Sequence, residues 1–382
     1  MAPLWGLLLA SWAAAGALAH KCIHDDFSRQ VFPGTNLTSS CPHGDVHYAT
    51  QRHAGRALQS SSFLPLRITV LYMSTAGTAD LSADATSAKA TFLTGTLMPA
   101  AIAKWQAMLN VQRVSGALLY TPRCTATYTS SGRCATSSAV LPGGTGEVAI
   151  TVPAAYLAAF TTYDGYGVGT TSAAGAGLAN TDFAVYVTAH STTSCTSSAS
   201  LLAYASTIQR DQYDRPTWAR INFCPDYINT TASAYGEQLS TAVHELNHAL
   251  GFSSTSWPLW RQSDGVTPRT PRDATTGLPA SAYSVVNSCG YNTSVAAPST
   301  LAYYPQRGMT GSWLPTATTA AAASTVTWKA PGNSVAQFVT PKAVATAAAY
   351  FACSTLNGPE LENHDTTDVS TGRTSLRQPS LS

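Results

Sequence analysis

Residues 241–252 read Thr-Ala-Val-His-Glu-Leu-Asn-His-Ala-Leu-Gly-Phe, within a helical pattern that runs over 237–251. The pentapeptide His244-Glu245-Leu246-Asn247-His248 decides how the rest of the chain is read. Val243, Leu246 and Leu250 fall at i, i+3 and i+7, the spacing of one buried helix face. His244 and His248 stand four apart, so they share a face one turn from each other. Two imidazoles so placed can converge on one tetrahedral Zn²⁺ at about 2.0–2.1 Å. Glu245 is one position along and projects beside such an ion, where it can take a proton from metal-bound water and pass it to a leaving amine. Asn247 falls on the solvent side by the same geometry. The plainer alternative is a helix with two hydrogen-bonded core histidines and a surface glutamate. The five-residue pattern on an amphipathic helix is more specific than that. Gly251 lets the chain turn sharply after the helix.

Working outward, Leu66–Tyr72 alternates as a strand does. Residues 84–110 have helical spacing, with Pro99 dividing them or opening a second helix. Val111–Tyr120, Glu147–Val152, Asp182–Val187 and Trp218–Phe223 read as strands. This succession predicts an α/β or α+β layered domain. Gly165-Tyr166-Gly167-Val168-Gly169 reads as a loop, since it lacks the lysine of a phosphate-binding turn. Beyond 252 the pattern degrades. Residues 261–280 read as loop, 316–327 as a low-complexity Ala/Thr tract and 341–352 as a short helix opened by Pro341.

Only 10% of the 382 residues are charged, against roughly 25% in an ordinary soluble domain, and the net charge is +2. Such a chain offers no electrostatic footprint for nucleic acid. Its 45% hydrophobic content predicts a packed core rather than disorder. Trp5–Leu18 is uncharged and precedes Ala17-Leu18-Ala19, so residues 1–19 read as a secretory signal peptide. Sequons at Asn36, Asn229 and Asn292 are glycosylation candidates that agree with secretion. The C-terminal residues have no apolar tail, so no transmembrane helix is expected in the mature chain. The eight cysteines then suggest disulfides. Nearness favours Cys124 with Cys134, then Cys195 with Cys224, while Cys289 and Cys353 are further candidates.

Several stretches together resemble the leishmanolysin family of surface zinc metallopeptidases. They are His20-Lys21-Cys22-Ile23-His24-Asp25-Asp26, Asn180–Val187, Ile221–Pro225, His244–Ser253, and Phe351–Leu356 with Glu360–Asn363. The resemblance implies an α+β, metzincin-like catalytic domain with a mixed twisted sheet and an active-site helix, one zinc ion, peptide or protein substrates, and a secreted or cell-surface location with a link to adhesion. It divides the chain into a signal peptide (1–19), a pro-segment (20–60), a catalytic lobe ending in the zinc-binding helix (61–255), and an insertion with an incomplete C-terminal lobe (256–382). Cys22 then has two readings: a thiolate that blocks the zinc in the proform, or the partner of Cys41 in a disulfide. The simple metzincin pattern would place a third histidine where Ser254 stands. His364 is the only histidine after the helix and the remaining candidate for third ligand. A rival expectation is a catalytically impaired, truncated relative serving as an adhesion glycoprotein.

Overall fold

The computed structural model describes residues 63–252 apart from 144–145 and 198–200, parts of 256–272, and the helix at 341–350 with a few residues beside it. It also gives the backbone of short strands at 47–48, 281–286, 292–296, 303–305 and 336–338. The chain divides into two compact units, with the boundary at Phe252.

The first unit begins with strands β1 (His47–Tyr48), β2 (Leu64–Pro65) and β3 (Ile68–Tyr72). A helical run follows: α1 (Ser87–Phe92), a π-helical segment Leu93–Leu97, and α2 (Met98–Met108). Pro99 sits in the first turn of α2, where its missing N–H costs nothing, so it opens the second helix without breaking the run. Next come β4 (Asn110–Val111) and two hairpins, β5 (Arg123–Thr127) with β6 (Cys134–Ser138) and β7 (Phe160–Tyr163) with β8 (Gly169–Ser172). The glycine-rich stretch 165–169 forms the turn of the second hairpin. β9 (Phe183–Thr188), the short helix α3 (Thr193–Ser197), β10 (Ala203–Arg210), β11 (Pro216–Phe223) and the helix α4 (Tyr235–Ala249) complete the unit.

Five strands form a mixed sheet in the order β1-β10-β11-β9-β3. β3, β9 and β11 run parallel, while β10 is antiparallel to β11. β1 pairs in parallel with the far end of β10, His47 opposite Gln209. Every residue of β9 is buried, which explains its continuous apolar reading. One face of the sheet carries Ala184, Tyr186, Tyr204, Ile208 and Trp218, packed with Leu118, Tyr120, Leu141, Ile150 and Val152 from the connecting segments. Trp218 stacks on Tyr186 at 6.2 Å and meets Tyr120 edge-on at 5.6 Å. α4 packs on β10, β11 and α2.

Two strand readings are corrected. In Val111–Tyr120 only Val111 lies in a strand, because Gly116 turns the chain at φ +86° and leaves Leu118 and Tyr120 as isolated bridges. Glu147–Val152 buries Ile150 and Val152 but pairs only through Thr151 with Val140; it is extended chain rather than sheet. β10 has no counterpart in the sequence reading. Ala203, Ala205 and Ser206 are weak strand formers, and burial of both faces erases alternation.

A few of the scarce charges lie in the interior. Arg220 and Glu147 form an ion pair with both side chains 1% exposed, and Glu147 also accepts from the Tyr204 hydroxyl. Asn222 accepts from the His190 N–H at 2.9 Å and donates to the His190 carbonyl at 3.0 Å. The His190 ring stands 3.1 Å from Asp84; burial lowers its pKa against the pull of that carboxylate. Disulfides join Cys124 to Cys134 and Cys195 to Cys224.

The second unit contains antiparallel pairs β12 (Ser281–Val286) with β13 (Asn292–Ala296) and β14 (Tyr303–Pro305) with β15 (Ala336–Phe338). Its helix α5 spans Pro341–Tyr350. Asn292 opens β13. Cys22, Cys41, Asn36, Cys289, Cys353 and His364 lie outside the described residues, as do the signal sequence and the Ala/Thr tract.

β3 is fastened to the start of β9 by Asp182, whose side chain is fully buried. It accepts from Arg67 Nε at 2.9 Å, Arg67 Nη2 at 2.8 Å and the Val114 N–H at 2.6 Å. Burial pushes the carboxyl pKa up, but the Arg67 side chain and the Val114 and Arg67 N–H groups outweigh it, and the net shift is downward. A depressed carboxyl contributes stability above its unfolded pKa of about 4 and loses it as pH falls through the folded value. Asp182→Asn is therefore expected to cost about 2–4 kcal/mol at neutral pH, with the deficit shrinking as the pH falls below the usual carboxylate range. Urea unfolding of both proteins across that range checks it.

Candidate active site

Helix α4 positions the candidate residues. Its first turn carries Glu237, which suits the positive end of the helix dipole. Ala242, Val243, Leu246 and Ala249 make the apolar face. Leu250 is half-buried and caps the helix instead of extending that face. Asn247 is half-buried too.

His244, Glu245 and His248 are all buried, Glu245 at 1% exposure. The Nε2 atoms of His244 and His248 are 2.9 Å apart, with ring centroids at 4.5 Å and planes at 84°. His248 Nδ1 lies 2.7 Å from the Phe252 carbonyl oxygen. A carbonyl only accepts, so Nδ1 carries the hydrogen, and in the neutral form of the ring the Nε2 lone pair faces His244. Metal-bound histidines are oriented by such a bond from the second ring nitrogen. Two imidazole nitrogens facing one point fit a borderline divalent ion such as Zn²⁺.

The chain returns to His248 through a tight helix stop. Phe252 N–H donates to the Asn247 carbonyl and Gly251 N–H to that of His248, the paired bonds of a Schellman turn. This turn requires Gly251 in the left-handed region, at φ +97°. A Cβ there would also sit 2.9 Å from Pro216 Cγ on β11.

Among the described residues, no group of three His, Cys, Asp or Glu side chains is placed to hold a metal. The structure thus brings together His244, Glu245 and His248; His364 and Cys22 are outside its description. Asn229 is exposed, and its Oδ1 accepts from the Thr231 N–H at 3.0 Å. The Phe252 carbonyl was not foreseen from the sequence: it is a backbone group, and its only signal is the glycine before it.

A helix that presents two converging imidazoles with a buried glutamate between them is the arrangement of metal-dependent hydrolases. Comparison with known proteins finds similarity to one family. The family model described as leishmanolysin matches residues 167–293, which include β9, β10, β11 and α4. The chain is 27% identical to the leishmanolysin-like peptidase of Drosophila melanogaster over 378 residues, covering 94% of this chain and 50% of that protein. It is 32% identical to the leishmanolysin-like peptidase of Caenorhabditis elegans over 197 residues, 51% of this chain and 26% of that one. A shorter match, 40% over 86 residues, is to the ciliated left-right organizer metallopeptidase of Xenopus laevis, covering 22% of this chain and 12% of that protein. The chain is thus similar to leishmanolysin-like metallopeptidases and spans about half the length of the curated relatives first matched.

Gly251→Ala forces a left-handed alanine against Pro216. It is expected to destabilise the protein by about 1–3 kcal/mol and to displace the Phe252 carbonyl from His248 Nδ1, which a lower affinity for added Zn²⁺ would report. Chemical denaturation and a chelator-competition titration measure the two effects.

Proposed function

We propose that the chain is a zinc-dependent endopeptidase of metzincin type. His244 and His248 are two ligands of one ion, His364 is the third, and Glu245 is the general base and then the general acid. The observation that carries this reading is the convergence of the two Nε2 atoms at 2.9 Å, with the His248 ring oriented by the Phe252 carbonyl. Zinc, when bound, supplies Lewis acidity for the scissile carbonyl and lowers the pKa of water. Glu245 accepts the proton of the attacking water on its carboxylate and releases it to the leaving amine nitrogen. Its burial holds that carboxylate in a low-dielectric setting on the same helical turn as the ligands. Phe252 holds the His248 ring in one tautomer. Peptide or protein substrates would lie extended along a sheet edge beside the helix, adding main-chain hydrogen bonds.

The compartment reading is secretion or display on the outer cell surface, with residues 1–19 as signal and a role in adhesion. Two disulfides suit an oxidising compartment. The exposed Asn229 suits glycosylation. Among the described residues no helix is long and apolar enough to cross a membrane. Residues 20–60 would be a pro-segment, with Cys22 blocking the ion; β1, from this stretch, pairs with β10.

Elemental analysis of the purified, processed chain should find one zinc per molecule. His364→Ala should lower that occupancy. Glu245→Gln should keep the zinc and reduce casein turnover by about 10²–10⁴-fold. Absence of stoichiometric zinc together with turnover indifferent to Glu245→Gln would refute the reading.

A further inference from the structure

Two side chains outside the motif bracket it. Trp105 on α2 donates its indole Nε1–H to the Val243 carbonyl at 3.0 Å, and Thr207 on β10 donates its hydroxyl to the Ala249 carbonyl at 3.0 Å. Val243 immediately precedes His244, and Ala249 immediately follows His248. The five-residue motif is therefore gripped at both ends, by a helix on one side and a strand on the other.

The two grips differ in kind. The Val243 carbonyl lies in the helix interior, where a backbone N–H one turn on already serves it, so the indole is an added donor. The Ala249 carbonyl belongs to the last turn, whose carbonyls have no intrahelical partner. Ala249 is fully buried, so bulk water does not reach it, and Thr207, itself buried, supplies a donor. Ala249 also opens the turn through Leu250 and Gly251 that returns the Phe252 carbonyl to His248 Nδ1. The Thr207 hydroxyl and the His248 ring thus hold opposite ends of one four-residue loop.

We propose that Thr207 is a positioning residue for the metal site, with Trp105 a weaker counterpart at the other end of the motif. This rests on the zinc reading above. Thr207 touches neither metal nor substrate; it fixes where the Ala249–Phe252 turn begins, and so where the carbonyl that orients His248 comes to rest. Metal sites tolerate displacements of only about 0.5 Å in their supporting groups. Loss of such outer support typically costs 10–100-fold in affinity or activity.

The test uses the full processed chain. Thr207→Val keeps the shape and removes the donor. It should weaken zinc binding about tenfold in chelator competition, lower kcat with little change in KM, and alter the visible absorption of the Co²⁺-substituted protein. Thr207→Ser, which retains the hydroxyl, should restore all three. A purely structural role would lower the melting temperature of the metal-free protein while affinity and Co²⁺ spectrum, read below that temperature, stayed at wild-type values; that result overturns the proposal. So would a Thr207→Ser variant as defective as Thr207→Val. Should Thr207→Val fail to fold, Trp105→Phe is read in the same way, with a smaller loss of affinity expected and unchanged affinity counting against the bracket. Wild-type chain that binds zinc beside an unaffected Thr207→Val overturns this inference alone; wild-type chain that binds none overturns the zinc reading and this inference together.

Discussion

The hydrogen bond from His248 Nδ1 to the Phe252 carbonyl is where the helix, the turn and the candidate chemistry meet. It exists because the helix stops at one residue and reverses at once. The stop depends on Gly251, at φ +97° and too close to Pro216 for any side chain. Pro216 opens β11, the strand that pairs with both β9 and β10. A ring-nitrogen orientation on the helix is thus tied, through one glycine, to the centre of the sheet. Helix α4 cannot shift along β11 without opening that turn.

The second constraint is the small number of charges. A chain with 10% charged residues solves its interior polar problems with few groups, each used several times. Asp182 receives four hydrogen bonds and closes β3 onto β9. Glu147 serves both Arg220 and Tyr204, and Asn222 holds the backbone of His190 from both sides. A buried ion pair with one partner removed is costly, because the survivor is left unsolvated. These pairs fix which segments cover the sheet, and Glu245 is a further buried carboxylate, on helix α4.

Legibility from the sequence followed physical type. Asp182–Val187 and the 237–251 helix announce themselves because a buried parallel strand is continuously apolar and a buried helix face is periodic. β10 does not, since Ala203, Ala205 and Ser206 carry neither signal, yet this strand supplies Thr207 and stands between β1 and β11. Glu147–Val152 shows the converse: Ile150 and Val152 are buried, but extended chain with a single bridge, from Thr151 to Val140, is not a strand. At the site, His244, Glu245 and His248 are legible because side-chain spacing encodes them. The Phe252 carbonyl and the Ala249–Thr207 bond are not, because backbone acceptors are the same at every position and only the fold selects which ones matter.

The sheet register also bears on how the molecule assembles. β10, β11 and α4 are consecutive in the chain, so the hairpin and the helix that packs on it close short loops. β3 joins β9 across a sequence gap of 115 residues, measured between Arg67 and Asp182. Loop-closure entropy favours the nearer contacts, and distant pairings slow folding. β10, β11 and α4 therefore close against one another at low entropic cost, whereas the β3–β9 pairing and the Trp105–Val243 contact, 138 residues apart, are the expensive closures.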